Sequence, residues 1–439
     1  MMSTQTWWVL LALGLVPAAH AAPSPKAEAD AAYAKAFGLY VDLHQHPELS
    51  GAEVHTAARL ATELRALGYT VTEHFGGTGV VAVLVNGPGK TILLRTELDA
   101  LPVQEKTGLP YASTVHAKDP AGREVSVGHM CGHDLHMSAL VATAGIMARS
   151  RDTWSGTLVL IGQPAEETVG GAEGMVHAGL FTHFPRPDAV LALHVGNELP
   201  AGTVGVVEGV YNTNADSVRL TIYGRGGHGS APHTTVDPIV IAARTILALQ
   251  TIVSREVKPG EFAVVTVGYI NAGTKNNIIP DEAELGITVR TRSTEVRKHV
   301  LAAIKRITEA EAQAGGAPRP PKVELSYEAA DLVYNDPALA RRLRGALEQA
   351  LDPAHVVTQE PITASEDFSV YVEQGIPGFY LSLGGADPQK YAAAQSGGPP
   401  LPSNHSALFA PDIDPALHTA ITSEVAMLRE MLPRSAAGG

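Results

Sequence analysis

The sequence predicts an α/β fold, a mainly parallel sheet flanked by helices and interrupted by a smaller inserted α+β unit. Three observations carry that expectation. Short uninterrupted apolar runs, "TILLR" (91–95), "TLVLIG" (157–162) and "AVLALHV" (189–195), read as strands buried on both faces of a parallel sheet. Helical spacing in "HMSALVATAGIMARS" (136–150) falls between them. The length, 439 residues, exceeds the roughly 250–300 at which one core stops growing, so more than one folded unit is expected.

The pattern changes after about residue 208. "SVRLTIYG" (217–224) reads as a strand, "DPIVIAARTILALQTIV" (237–253) as a helix, and "FAVVTVGYI" (262–270) and "AELGITVR" (283–290) as two strands. A helix over 293–314 follows, then the breaker "GGAPRPP" and a last strand, "KVELSYE". The order βαββαβ is the ferredoxin-like arrangement. Beyond residue 330, "DPALARRLRGALEQAL" and "PALHTAITSEVAMLREML" are amphipathic helices, and "GFYLSLG" (378–384) is another buried strand. The expected division is a processed segment at 1–21, a main unit at 22–209, an insertion at 210–323 and the return of the main unit at 324–439.

The start of the chain reads as an export signal. "WWVLLALGLVPAA" (7–19) is too short an apolar run for a bilayer that needs about 20 residues, and "AHA" then places small residues at Ala19 and Ala21. The mature chain is expected to be periplasmic or secreted, without a membrane anchor. A net charge of −13 and no dense Lys/Arg run argue against a nucleic-acid partner.

Export sharpens the interest of "GHMCGHDLHMSAL" (128–140), which holds the one cysteine of the chain. Exported proteins pair their cysteines, and an odd one suggests a reactive thiol or a metal ligand. Cys131 stands among His129, His133 and His136 rather than among aliphatics, which favours the ligand over a small buried hydrophobe. In an open α/β sheet, functional groups gather beyond the carboxyl ends of the strands. "RTELDALP" brings Glu97 and Asp99 there, "GQPAEET" Glu166 and Glu167, "ALHVGN" His194, and the late "LPSNHSALF" His405. Taken alone, His194 reads equally well as a core histidine, and His405 carries less. His44 and His46, placed near the start of a helix, read as structural. The inventory as a whole suits a pair of borderline divalent cations with a thiolate able to bridge them.

"RTELDALP", "GHMCGHDLH", "PAEE", "LHV", "GRGGHGSAP", "NNIIP", "SEDFS" and "NHSALF" occur in the order seen in the aminoacylase, hippurate hydrolase and indole-acetyl-amino-acid hydrolase family. The chain resembles these di-metal amidohydrolases from about residue 30 to 432. The resemblance implies a di-metal peptidase-like catalytic domain with the insertion as a lid and dimerisation module. It implies that Cys131, His133, Glu167, His194 and His405 hold two metals while Glu166 is the general base. Asp99, Asp134 and His136 would stand behind the ligands and orient them. His228 would stabilise the oxyanion, from across the cleft or from a partner subunit. Asn277 and Arg290 would receive the substrate's free carboxylate. Glu97 and Leu135 depart from the family pattern, which has aspartate and a small residue there.

The expected activity is therefore hydrolysis of N-acyl or N-aroyl amino acids, hippurate-like or ochratoxin-like, by a homodimer or higher oligomer. Ligand softness puts zinc first, with manganese, cobalt or nickel open. A dipeptidase or small-peptide carboxypeptidase is the alternative with the same metals, and a solute-binding protein or a metal store the alternatives without catalysis.

Overall fold

A computed structural model describes residues 23–325 and 330–434. The expected export signal, and the end of the strand predicted in "KVELSYE", lie outside the described residues. Among the described residues, ten strands form the main sheet. Its centre is four parallel strands in the spatial order Gly156–Gln163, Thr91–Glu97, Ala189–Pro200, Gly378–Ala386. These are the four continuous apolar runs, and burial on both faces is what selects such runs for this position.

The edges run the other way. Val80–Asn86 pairs antiparallel with Gly156–Gln163, and Thr70–Thr72 pairs antiparallel with it in turn. The sheet is mixed, mainly parallel at its core, and this hairpin-like edge was not anticipated although "VVAVLVN" has the composition for it. Val204–Val206 and Val356–Thr358 extend the opposite side.

One face of the sheet is covered by the helices Pro25–Gln45, His133–Arg149 and Ile413–Met431. His133–Arg149 is buried nearly all round because it lies between the sheet and the other two helices. Leu135, Met137, Leu140 and Met147 are wholly buried there, each contributing roughly 1.5–3 kcal/mol of apolar transfer. A second apolar cluster, around Val159, Ile161, Phe368 and Tyr380, fills the other face. His44 lies in the last turn of the first helix and His46 caps it, rather than starting a helix.

The insertion forms its own antiparallel sheet in the spatial order Ala263–Ala272, Glu282–Thr291, Asn214–Tyr223, Lys322–Leu325. The helices Pro238–Thr251 and Thr294–Ala314 cover one face and complete a separate core. This is the expected βαββαβ order, with its second strand at the edge. The chain crosses between the two units beside the bridge Ala215–Ala330, where the Tyr211 N–H donates to the Val333 carbonyl at 2.9 Å.

Candidate active site

The parallel strands deliver their polar ends to one place. Just past Thr91–Glu97 comes Asp99, just past Gly156–Gln163 come Glu166 and Glu167, and His194 lies within the neighbouring Ala189–Pro200. Cys131 and His133 enter through a turn at Gly132, whose φ of +87° is left-handed and where a Cβ would collide with Val195. That turn starts the helix at His133 and sets the thiol against the sheet. His405 arrives on the late loop, its N–H bonded to the Met130 carbonyl at 2.8 Å.

Cys131 is the hub. Its Sγ lies 3.5 Å from His194 Nε2 and 3.4 Å from His405 Nε2. Two donor groups share it, Cys131 with His133 and His194, and Cys131 with Glu167 and His405, the donor atoms of each within 4.8 Å of one another. His405 Nε2 is 3.2 Å from Glu167 Oε2, and His133 Nε2 lies 3.8 Å from Glu166 Oε2 and 3.9 Å from Glu167 Oε1.

These residues fit a pair of cations. His133 donates its Nδ1–H to the Asp99 carbonyl at 2.8 Å, and His194 donates its Nδ1–H to the Val195 carbonyl at 2.9 Å. Both therefore present a lone pair at Nε2 to the site. His133 Nε2 and Glu167 Oε1 are buried with no hydrogen-bond partner among the described residues, an expensive arrangement unless a cation lies between them. Electrostatics point the same way. Burial, with Glu167 and Glu166 alongside, pushes the Cys131 thiol well above its usual range. Burial and the neighbouring His133 push His194 down to about 4. A desolvated cluster of thiol, imidazoles and carboxylates is suited to positive ions bound among them.

The clustered side chains are braced from behind. Asp99 accepts the Glu167 N–H at 3.0 Å and the Ser50 hydroxyl at 2.7 Å. His136 accepts the Val195 N–H at Nε2 and donates from Nδ1 to Glu97, both at 2.9 Å. Glu97, longer than the family's aspartate, thereby reaches His136 and also pairs with the buried Arg95. Leu135, the other departure, packs wholly inside the main core. Asp134 accepts from His44 Nδ1 at 2.6 Å. Burial works against charge on His44, yet Asp134 and Glu105 together raise it to about 10.

Sequence reasoning gave no role to several residues that matter here. Arg95, fully buried, pairs with Glu366 at 2.7 Å and Asp367 at 3.2 Å, both from "SEDFS". Glu366 and Asp367 cluster with Glu166, whose carboxyl is pushed well above the ordinary range by burial and by Glu366, Glu167 and Asp367. Asn404 donates to the carbonyls of Cys131 and Val195, at 3.2 and 3.0 Å. The signals available were a charged residue ending the apolar run "TILLR" and an acidic pair in a motif quoted for likeness alone.

A cavity of about 740 Å³ opens over the cluster, lined by Cys131, Glu166, Glu167, His194, His405 and, from the inserted sheet, Arg290. His228 and Asn277 do not line it. They sit side by side on an exposed two-stranded ribbon, where the Gly229 N–H donates to the Asn277 carbonyl at 2.9 Å.

A sequence profile of peptidase family M20/M25/M40 matches residues 93–396. The hydrolase named hippurate hydrolase in Campylobacter jejuni is 39% identical over 75% of this chain and 83% of its own length. Thermostable carboxypeptidase 1 of Saccharolobus solfataricus is 34% identical over 85% and 89%. Among solved structures, a Bacillus subtilis protein described as a dinuclear metal-binding peptidase of family M20 superposes with a TM-score of 0.73, at 29% identity, over 91% of this chain and 98% of that one. A solute-binding protein or a metal store is thereby set aside. The chain belongs to peptidase family M20/M25/M40 and is a metal-dependent amidohydrolase or peptidase.

Proposed function

We propose that the protein hydrolyses the amide bond of N-acyl or N-aroyl amino acids, hippurate-like and ochratoxin-like amides included, to a carboxylic acid and a free amino acid. One observation carries the reading: the cavity that holds the carboxylate–thiol–imidazole cluster also receives an Arg290 guanidinium from the inserted sheet. A scissile amide and a free carboxylate on one small molecule match that pair of features.

Cys131, His133, Glu167, His194 and His405 would hold two divalent cations, zinc first on ligand softness. When bound, the cations polarise the amide carbonyl and acidify a water. Glu166 takes the proton of the attacking water and returns it to the departing amine nitrogen. Asp99 and His136 hold the ligands so that the imidazoles need no reorientation during turnover.

His228 would donate to the developing oxyanion, and Asn277, its neighbour on the ribbon, would assist Arg290. Both lie outside the cavity, so they reach it by closure of the inserted unit or from a second copy. A homodimer fits the exposed edge strand Ala263–Ala272, with Tyr269 and Ile270, next to the helix face of Val240 and Leu247. We place the mature protein in the periplasm or outside the cell, on the strength of the apolar N-terminal run.

The similarity to a carboxypeptidase supports a second reading, cleavage of small peptides. The test is a panel of N-acyl amino acids with matched free dipeptides, assayed after chelation and after metal add-back, with products identified by mass. Metal-dependent release of benzoate from hippurate, faster than cleavage of the free dipeptide, is the expected result. Faster dipeptide cleavage would establish the peptidase instead, and hydrolysis untouched by prolonged chelation would overturn both.

A further inference from the structure

Asn212 lines the cavity from the crossing between the two units, three residues before Ala215, the strand partner of Arg290. The residue is wholly buried. Its Oδ1 accepts the Val333 N–H at 2.8 Å, which fixes the amide orientation and turns the NH₂ group elsewhere. Nδ2 has no partner among the described residues, and neither has Arg290 Nη1, which is also buried. Two unsatisfied donors on one cavity wall call for an acceptor that the protein does not supply.

The charge pattern specifies which acceptor. Arg290 is the only Arg or Lys among the described residues lining the cavity, whereas Glu166, Glu167, Glu198, Glu360 and Glu366 line it too. The nearby Asp216 carboxylate is occupied by the Arg297 guanidinium, at 2.6 and 2.9 Å. Burial leaves the Arg290 guanidinium less stable as a cation than in water. The wall is rigid as well. Ile362 donates its N–H to the Tyr211 carbonyl at 3.0 Å, the Tyr211 hydroxyl bonds Ser382 at 2.8 Å, and the Thr213 hydroxyl donates to the Thr363 carbonyl at 3.0 Å.

We infer that Asn212 is a specificity-determining residue, its free amide N–H joining Arg290 as a two-donor receptor for the carboxylate of the substrate's amino-acid part. The inference rests on the amidohydrolase reading, which already sets a free carboxylate against Arg290, and adds to it a second donor from Asn212. It also explains why a polar side chain is buried beside the crossing: the Val333 N–H occupies its oxygen, so its nitrogen is the group left to donate.

The test is binding of hippurate and of hippurate methyl ester to the metal-loaded full-length chain carrying Glu166→Gln, by calorimetry. Asn212 stays intact in one protein and is replaced by Asp in the other. Asn212→Asp keeps the acceptor for Val333 and reverses the free donor. Hippurate is expected to bind at least about tenfold tighter than its ester when Asn212 is present, and Asn212→Asp brings the ratio to about one. A ratio that survives Asn212→Asp overturns the receptor. So does a protein with Asn212 intact that binds acid and ester alike, a result that needs no variant at this position to fold. Hippurate hydrolysis by the unmodified protein, together with a surviving ratio, sinks the receptor and spares the hydrolase. A collapsed ratio without hydrolysis does the reverse.

Discussion

The carboxylate of Glu53 accepts the backbone N–H of Ala165 at 2.9 Å, tying the start of the helix Val54–Ala66 to the loop that carries Glu166 and Glu167. Glu53 is wholly buried and also accepts the Gly51 N–H and the Thr78 hydroxyl. Ala165 has a φ of +50°, a left-handed conformation that costs about 1–3 kcal/mol in a residue with a Cβ. Val169 (+54°) and His405 (+68°) share that feature at the same site.

Replacing Glu53 should therefore slacken the loop. Glu53→Ala is expected to lower kcat about 10²-fold, by analogy with displacement of a catalytic group by ~1 Å, with KM changed far less. Glu53→Gln keeps one acceptor oxygen for Gly51 and Ala165 and should fall between Glu53→Ala and the unmodified chain. Steady-state kinetics with metal content measured in parallel decide the matter. Equal losses in kcat and in melting temperature for the two variants would point to folding alone.

The proposed base and the proposed metal-holding thiol should separate cleanly. Glu166→Gln is expected to keep both metals and lose about 10²–10⁴ in kcat, the usual worth of a positioned base. Cys131→Ala removes the atom shared by both donor groups and should strip metal instead. Elemental analysis of the purified variants, beside hydrolysis rates, distinguishes these outcomes. A fast Glu166→Gln variant would contradict its role.

Arg95, itself shut off from water, balances three buried carboxylates. Arg95→Met leaves Glu97, Glu366 and Asp367 together without their cation, and breaking such buried pairs costs about 3–5 kcal/mol. Urea denaturation should show that loss, and an unchanged midpoint would show that the three acids tolerate one another.

Glu424 gives a pH dependence remote from the metals. It is buried on the helix Ile413–Met431, where burial, partly offset by Thr143, raises its carboxyl to about 8. The unfolded value is about 4.3, so the folded state holds the proton more tightly. The stability it allows is fully present below about pH 4.3 and lost as pH rises to about 8. Glu424→Gln should remain flat over that window, and the difference between the two chains at pH 9 is expected to reach ~2–5 kcal/mol. Chemical denaturation across pH 5–9 measures it (roughly the span of the linkage). Parallel curves would refute the shift.

The parallel centre of the fold was legible because burial on both faces writes an uninterrupted apolar run, and the insertion because its strands and helices alternate in the βαββαβ order. Cys131, His133, Glu167, His194 and His405 were nameable from likeness to a family, and the structure brings them together by separate routes: the Gly132 turn, the loop after Gly156–Gln163, the middle of Ala189–Pro200 and the late loop held to Met130. What could not be read locally were ties between distant segments. The Glu53–Ala165 bond joins positions 112 apart and the Arg95–Glu366 pair 271 apart, and neither leaves a periodic trace. Asn212 was invisible for the same reason, since an asparagine in "YNTNAD" looks like any turn residue until its oxygen is seen to be occupied. The exposed placement of His228 and Asn277 was equally hidden, because a glycine-rich motif does not say which way its ribbon faces.

The central sheet places Gly378–Ala386 directly beside Ala189–Pro200, with the whole inserted unit threaded between them in the chain. During synthesis, four of the five clustered residues proposed to hold metal emerge long before His405, and the sheet lacks its fourth parallel strand until then. Closing so long a loop slows assembly more than it weakens the finished fold. The early half must wait with a half-built edge and an open cluster of thiol and imidazoles. The inserted unit, which has a core of its own, is free to fold during that wait. Arrival of the last strand and of His405 would then complete architecture and chemistry in a single late event.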